Sequence, residues 1–485
     1  MAWLQDLPLE LFISILDAVI HTTHPKDHST NLKTILLVSK EWNDVSQSIS
    51  SLWLTLSSAD PPAWVERVLR NSSPDGPLNV RFVRYVKRRV ADRWFERMVA
   101  SYIARWVDLR MDWPHDAWDA AAISAWAPRL QRISAYCPKN STPRKQLFRD
   151  QFMQHRSLSL DNQLVPGHPR STSLQRFFIY KDLRSPPGYT PLLETLISYP
   201  NLVQLVIHNA SSASTFNGPS FIMAQLTHID LQLSITTITC ILQWLRLPAL
   251  VKFSVVILSN GTYRNPAHWT LLLETITPIL LRLVEREQKS LEPLVALQLS
   301  GNGWVLKVRS GSFVFGTPYR DVSYLRSLLS PLGDVSAAVV CSAEGDSGEV
   351  FAVQHVLPNT IYLRLPCSDY TMLYHVFRRM TTSLSGRTTG LLSKLRTLEL
   401  TWEPKLVAAS DLLVPIEKLM EARRTMVIRY PKVGVEDGLG ELRRKFPNSF
   451  VFTEADAEVA WWDRPGVPMD LDYENYSFVG EEERW

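Results

Sequence analysis

Cysteine is scarce in this chain. Its 485 residues include only four: Cys137, Cys240, Cys341 and Cys367. No two of them form a C-x-x-C pair, so the spacing of a structural zinc site is missing. So sparse a set suits free thiols in a reducing compartment. A dominant charge sign is also lacking. The 52 basic and 48 acidic residues leave a formal net charge of +4, far from the strong basic bias of a dedicated nucleic-acid binder. No apolar run reaches the roughly 18 residues of a membrane span. The most apolar stretch, Leu271 to Val284, contains Glu274 and Arg282 and reads as a helix of a soluble protein. The first residues carry no positive region, and Glu10 and Asp17 interrupt the apolar residues that follow. No secretory signal is expected there, which predicts a cytoplasmic or nuclear location. Phosphate-loop, H-E-x-x-H and G-x-S-x-G motifs are missing. Gly301-Asn302-Gly303 lacks the third glycine of a dinucleotide loop. No catalytic residue, cofactor or metal is therefore predicted.

What is present begins at the N-terminus. Leu7-Pro8-Leu9-Glu10 reads as a helix start, because proline at the first helical position loses no useful hydrogen bond and glutamate suits the positive end of the dipole. Leu11, Phe12, Ile15, Leu16 and Val19 then recur at helical spacing. His21 to Ser29 reads as a polar loop. Asn31 is a candidate cap for a second helix, on which Leu32, Ile35, Val38, Ser39, Trp42, Val45 and Ile49 trace one face. Helices this apolar within about 50 residues cannot bury all their surface among themselves, which predicts a partner.

The ordered set Leu7-Pro8-x-Glu10-Leu11-x-x-x-Ile15, Leu32-x-x-Ile35-x-x-Val38-Ser39-Lys40-x-Trp42 and Leu52-Trp53 resembles an F-box motif. It covers about the first 50 residues. The resemblance implies a small helical domain that docks the Skp-type adaptor of a cullin–RING ubiquitin ligase. Leu7, Pro8, Leu11, Ile15, Ile35, Val38, Trp42 and Trp53 would then lie at or directly behind that interface. Two features depart from the family pattern: the loop between the helices is longer than in many F-boxes, and Ser39 stands where cysteine is common. The helix, turn and strand order after Pro61-Pro62, with the turn cluster Asn71 to Pro77 and the alternating Leu78-Asn79-Val80-Arg81-Phe82, further resembles mushroom-type fungal F-box proteins.

Beyond residue 100 an apolar-x-x-apolar-x-apolar pattern recurs, a shape that leucine-rich repeats use for one short strand. It stands at Trp106-Leu109-Met111, Leu130-Ile133-Ala135, Leu174-Phe177-Ile179, Leu202-Leu205-Ile207, Leu226-Ile229-Leu231, Leu250-Phe253-Val255, Leu294-Leu297-Leu299 and Leu395-Leu398-Leu400, with a degenerate copy at Thr360-Leu363-Leu365. The steps from Trp106 to Leu130, Leu202 to Leu226 and Leu226 to Leu250 are each 24 residues. Leu130 to Leu174 and Leu250 to Leu294 are each 44, near a double step with one unit missing or distorted. Helix-like stretches such as Pro191 to Tyr199 and Thr236 to Leu247 lie between copies. The asparagine of a regular repeat is missing after the strands, and residues 310–350 interrupt the series. The prediction is an α/β fold: a small all-helical F-box followed by an irregular leucine-rich-repeat-like solenoid.

Three further features read as ordinary surface. His21, His24, Asp27 and His28 have a ligand-like spacing, but Pro25 among them predicts a solvated loop. The basic stretch Arg81 to Arg97, with Val83, Val86, Val90 and Trp94 at helical spacing, reads as an amphipathic helix with a charged outer face. From Glu454 to Trp485 acidic residues dominate around Trp461, Trp462, Tyr473 and Tyr476, which reads as a cap or tail.

The predicted organisation is a helical domain over 1–57, a helix-turn-strand connection over 58–100, a recognition domain over 101–453 and an acidic aromatic tail over 454–485. The expected function is substrate recognition in an SCF-type ubiquitin ligase, with the repeat region holding a target protein and the chain itself non-catalytic. Two other classes fit the sequence less directly: a repeat scaffold with no ubiquitin role, and a hydrolase or transferase with a divergent site.

Overall fold

The computed structural model describes residues 8–21, 28–83, 89–111, 127–135, 156–161, 173–180, 196–208, 220–258, 266–287, 292–300, 303–317, 327–332, 335–341, 357, 359–366, 394–401, 409–422, 427–431 and 444–453. The fold is mixed α/β. Helices α1 (Leu9–His21), α2 (His28–Val38) and α3 (Lys40–Ser48) come first. Strand β1 (Thr55–Ser57), helix α4 (Pro62–Asn71), strand β2 (Leu78–Phe82) and helix α5 (Arg89–Ala100) follow. Pro62 opens α4 at a position where its missing N–H costs nothing.

The rest is mostly strands: β3 (Trp106–Met111), β4 (Arg132–Ala135), β5 (Ser157–Asp161), β6 (Arg176–Tyr180), β7 (Gln204–His208), β8 (Phe221–Ile222), β9 (His228–Leu233), β10 (Leu245–Arg246) and β11 (Lys252–Ile257). Then come β12 (Val295–Ser300), β13 (Gly303–Val308), β14 (Phe313–Thr317), β15 (Ala337–Cys341), β16 (Thr360–Pro366), β17 (Thr397–Thr401), β18 (Val427–Pro431) and β19 (Phe450–Thr453). Helices α6 (Ile235–Trp244), α7 (Pro266–Glu285) and α8 (Ala409–Ala422) lie among them.

Seventeen strands form one sheet. From β1 through β7, then β9 and β11, each strand pairs in parallel with the next. A second parallel run joins β12, β15, β16, β17, β18 and β19. Between the runs the meander β12–β13–β14 folds backwards: β14 pairs with β11, and β13 lies antiparallel to both its neighbours. β8 and β10 form a separate parallel pair.

Alternation along the strands explains the core. Leu56, Val80, Leu109, Ile133, Phe177, Leu205, Ile229, Phe253 and Phe313 hold one row, and all are buried. Ile179, Ile207, Leu231, Val255 and Phe315 hold another row on the same face. Side chains two apart along a strand share a face, so parallel in-register pairing stacks like on like. Phe253 and Phe313 stack with centroids 5.5 Å apart across the β11–β14 boundary. Trp269, Leu272, Ile276 and Leu280 of α7 are buried in the same core. By length and apolar composition α7 could span a membrane, but these buried side chains are those of a core helix.

A strand runs at every copy of the apolar-x-x-apolar-x-apolar pattern, the degenerate one at Thr360 included. The double step from Leu130 to Leu174 contains β5, which the pattern did not reveal. The other double step, Leu250 to Leu294, contains α7 instead, and the two strand positions between β11 and β12 are filled by β13 and β14 from later in the chain. Of the Arg81 to Arg97 stretch, Arg81 belongs to β2 and the helix α5 begins at Arg89. Residues 84–88, the tail 454–485, His24 and Asp27 lie outside the described residues. Among the described residues no group of histidine, cysteine or acidic side chains could hold a metal ion.

Candidate partner-binding surfaces

The second helix of the sequence reading is two helices. It begins at His28 rather than after Asn31 and stops at Val38. Ser39 is extended, with φ −159° and ψ 166°, and its hydroxyl accepts a hydrogen bond from the Trp42 N–H at 3.1 Å. A serine that caps the next helix offers the backbone an alternative to continuing the last one. The break re-aims the chain, so Val38 and Trp42 do not share one helical stripe.

The inner side of this unit is well packed. Phe12 and Leu16 of α1, and Leu32 and Ile35 of α2, are buried. Phe12 meets Trp42 edge-on at 4.9 Å. Trp53 is fully buried, and its indole N–H donates to the Ser46 carbonyl at 2.8 Å. Trp64 of α4 packs against Trp53 at 5.7 Å. Arg67 lies over both rings and donates to Asn43 at 2.9 Å. Asp60 accepts from Ser29 at 2.6 Å and pairs with Lys33 at 2.7 Å, while the Lys33 ammonium sits over Trp64 at 4.8 Å. These contacts tie α2 and α3 to α4 and to the first strand.

The outer side is apolar and exposed. On α1, Leu11 is 55% exposed, Ile15 47% and Val19 43%. Their i, i+4, i+8 spacing makes one stripe. At the end of α2, Leu37 is 85% exposed and Val38 56%. Pro8, at the start of α1, is exposed. Of the eight residues named from sequence, Pro8, Leu11, Ile15 and Val38 are therefore accessible. Ile35 and Trp53 are buried, Trp42 is half-buried against Phe12, and Leu7 lies outside the described residues. Ile35 and Trp53 can act only by supporting the helices from within. Leu37 and Val19 belong to the exposed set and were not singled out, since helical periodicity alone does not say which face the rest of the chain covers.

The face of the sheet opposite the main core is mixed: Ala296, Ala338, Val340 and Tyr362 form a second, small core there, and polar residues stand elsewhere on it. Arg364 pairs with Glu399 at 2.8 Å, and the Tyr362 hydroxyl donates to the same carboxylate. Burial raises the Tyr362 pKa above its ordinary value, and the carboxylate adds to the effect. The His208 ring contacts Asp230 at 3.2 Å. Nearer the starts of the strands, Asp108, Arg132, Ser157, Arg176, Gln204, His228 and Lys252 stand in register on consecutive strands β3 to β11. Arg132 reaches Asp108 at 3.1 Å. His228 has its pKa lowered by burial first, then by Lys252 and Arg176.

No protein-family model matches this chain, and a search of curated proteins finds no match.

Proposed function

We propose that this chain is the substrate-recognition subunit of an SCF-type ubiquitin ligase, with an F-box at its N-terminus and a leucine-rich-repeat-like solenoid as its body. The observation that carries the reading is the exposed apolar stripe Leu11–Ile15–Val19, with Leu37 and Val38, on helices whose inner sides are tightly packed. Leucine and isoleucine left about half exposed at regular spacing forgo about 1 kcal/mol each that full burial would supply. A partner that covers them recovers it. Leu11, Ile15 and Val38 among them carry the F-box resemblance, and the Skp-type adaptor is the partner it implies.

The body fits the second half of the role. A linear series of parallel strands, each joined by a connection to its neighbour, supports a repeat array, and such arrays present long surfaces to protein targets. The Trp53–Trp64–Arg67 and Ser29–Lys33–Asp60 contacts tie helices to sheet. Target and adaptor would then be held in a fixed relation. Mechanistically, the chain tethers: a target lysine is kept near a ubiquitin-charged enzyme that the complex supplies, and rate comes from effective concentration. This chain contributes no acid, base, nucleophile, metal or cofactor to that step. The location proposed is cytoplasm, nucleus or both.

The test is co-purification of the full chain with the Skp-type adaptor, beside Leu11→Asp/Ile15→Asp and Leu7→Ala/Pro8→Ala. Stoichiometric binding that both variants lose, with their circular dichroism unchanged, supports the reading. A folded wild-type chain that does not bind the adaptor overturns it.

A further inference from the structure

We infer that the row of side chains at the starts of strands β4 to β11 is a docking strip for an acidic, extended segment of a partner protein. The inference deepens the target-binding role proposed above and rests on reading the sheet as the target-binding body. Arg132, Ser157, Arg176, Gln204, His228 and Lys252 occupy successive strands in exact lateral register. All point away from the main core, because Ile133, Phe177, Ile229 and Phe253 next to them point into it. Arg132 and Arg176 are exposed, and the other four are half-buried.

Basic side chains predominate among the described residues of this edge. The described residues that lead into these strands, 127–132, 156–157, 173–176, 199–204, 223–228 and 247–252, contain no aspartate or glutamate. They add Arg129 and Arg156, both exposed. Burial is the first cause of the lowered His228 pKa, and the smaller contributions of Lys252 and Arg176 are a second sign of the same field. The exception on the row is Asp108, one strand outward, which Arg132 contacts.

Spacing indicates the shape of the ligand. Neighbouring strands lie about 4.8 Å apart, so Arg132 to Arg176 spans about 10 Å and Arg176 to Lys252 about 14 Å. An extended chain rises about 3.3 Å per residue. Carboxylates at about i, i+3 and i+7 of a peptide crossing the strands would meet Arg132, Arg176 and Lys252 in turn, the first in exchange for the contact that Arg132 makes with Asp108. A nucleic acid fits worse. Its backbone carries a charge at every nucleotide without a gap, more than the three cations of this strip would pair. Asp108, and Asp230 on the same face of β9, would repel the surplus. Recognition of acidic motifs by arginine clusters is an established mode of peptide capture.

The experiment is fluorescence anisotropy of the full chain with a fluorescein-labelled peptide of about ten residues, bearing glutamates at those three positions in a Gly/Ser/Ala background. An oligothymidylate of similar length is the competing probe. Wild type should bind the peptide, with affinity falling as salt approaches about 1 M, where charges are screened beyond about 3 Å. Arg132→Glu/Arg176→Glu should weaken binding about tenfold or more. Lys394→Glu, exposed before β17, should leave it unchanged. Wild type that does not bind the peptide overturns the inference, as does a charge-reversed variant that binds like wild type. Tighter binding of oligothymidylate overturns it in favour of a nucleic acid. Each variant is also tested against the Skp-type adaptor. A chain that holds the adaptor but not the peptide fails here alone, whereas one that holds the peptide but not the adaptor fails only in its ligase role.

Discussion

At the scale of single residues, burial separates two kinds of apolar side chain that look alike in sequence. Leu11 and Trp53 both belong to the F-box-like set, yet Leu11 is 55% exposed and Trp53 fully buried. Trp53→Ala would remove a large core side chain together with its hydrogen bond to Ser46. It should cost about 3–5 kcal/mol in a denaturant titration. Leu11→Ala should change stability by no more than about 0.5 kcal/mol, while weakening the adaptor binding proposed above. His228 gives a residue-scale prediction in pH. Its folded-state pKa is lowered, by burial first and by Lys252 and Arg176 next. The unfolded chain therefore takes up the proton first, and stability present above the unfolded value of about 6.5 is lost as pH falls through and below it. His228→Gln should flatten that part of a stability-against-pH profile, and an unchanged acid limb would contradict the assignment.

At the scale of elements, the break between α2 and α3 depends on Ser39. Ser39→Ala removes the cap acceptor and should cost about 1 kcal/mol, with faster amide exchange at Trp42, whose N–H it holds. Asp60 plays a comparable part between elements. It is nearly buried and receives both Ser29 and Lys33. Asp60→Ala leaves those donors without their acceptor and should cost about 1.5 kcal/mol. If the helices are tied to the sheet through this site, hydrogen exchange in α2 should rise more than in β3 to β7. Uniform change across both would contradict such a joint. Periodicity in sequence located these helices but carried no information about the break, because Leu32 through Ile49 keep helical spacing across it. The helix cap at the break is a hydrogen bond that the Trp42 N–H donates to the Ser39 hydroxyl, a contact that periodicity does not encode.

At the scale of the whole molecule, one region joins two parallel runs of strands. β13 is the antiparallel strand between them, and Leu306 at its centre is fully buried. Leu306→Ala should cost about 2–5 kcal/mol. Because each strand leans on its neighbours, loss of protection should spread to β11 and β12 on either side. Confinement of the effect to β13 and β14 would show that the two runs do not depend on the junction.

The sequence by itself determined where about half of the strands lie and which way their side chains point. The pattern at Leu202, Leu226 and Leu250 repeats every 24 residues, and in-register parallel pairing turns that period directly into rows of Leu205, Ile229 and Phe253. Local alternation is enough for this, since a strand that slipped by one residue would turn its apolar side chains outward. The sequence also located the apolar N-terminal helices. Only the tertiary structure decided the rest. It filled one double step with β5, whose short Ser157–Asp161 segment has too few apolar residues to stand out. It placed α7 in the other and gave the sheet positions between β11 and β12 to a hairpin from later in the chain, because strand order in a sheet is set by crossovers and not by sequence order. It brought Arg132, Arg176, His228 and Lys252 into one row, although more than a hundred residues of chain separate its ends. It also decided which apolar side chains of the first helices are covered, since exposure depends on what packs against a face, and helical spacing says only that the face exists.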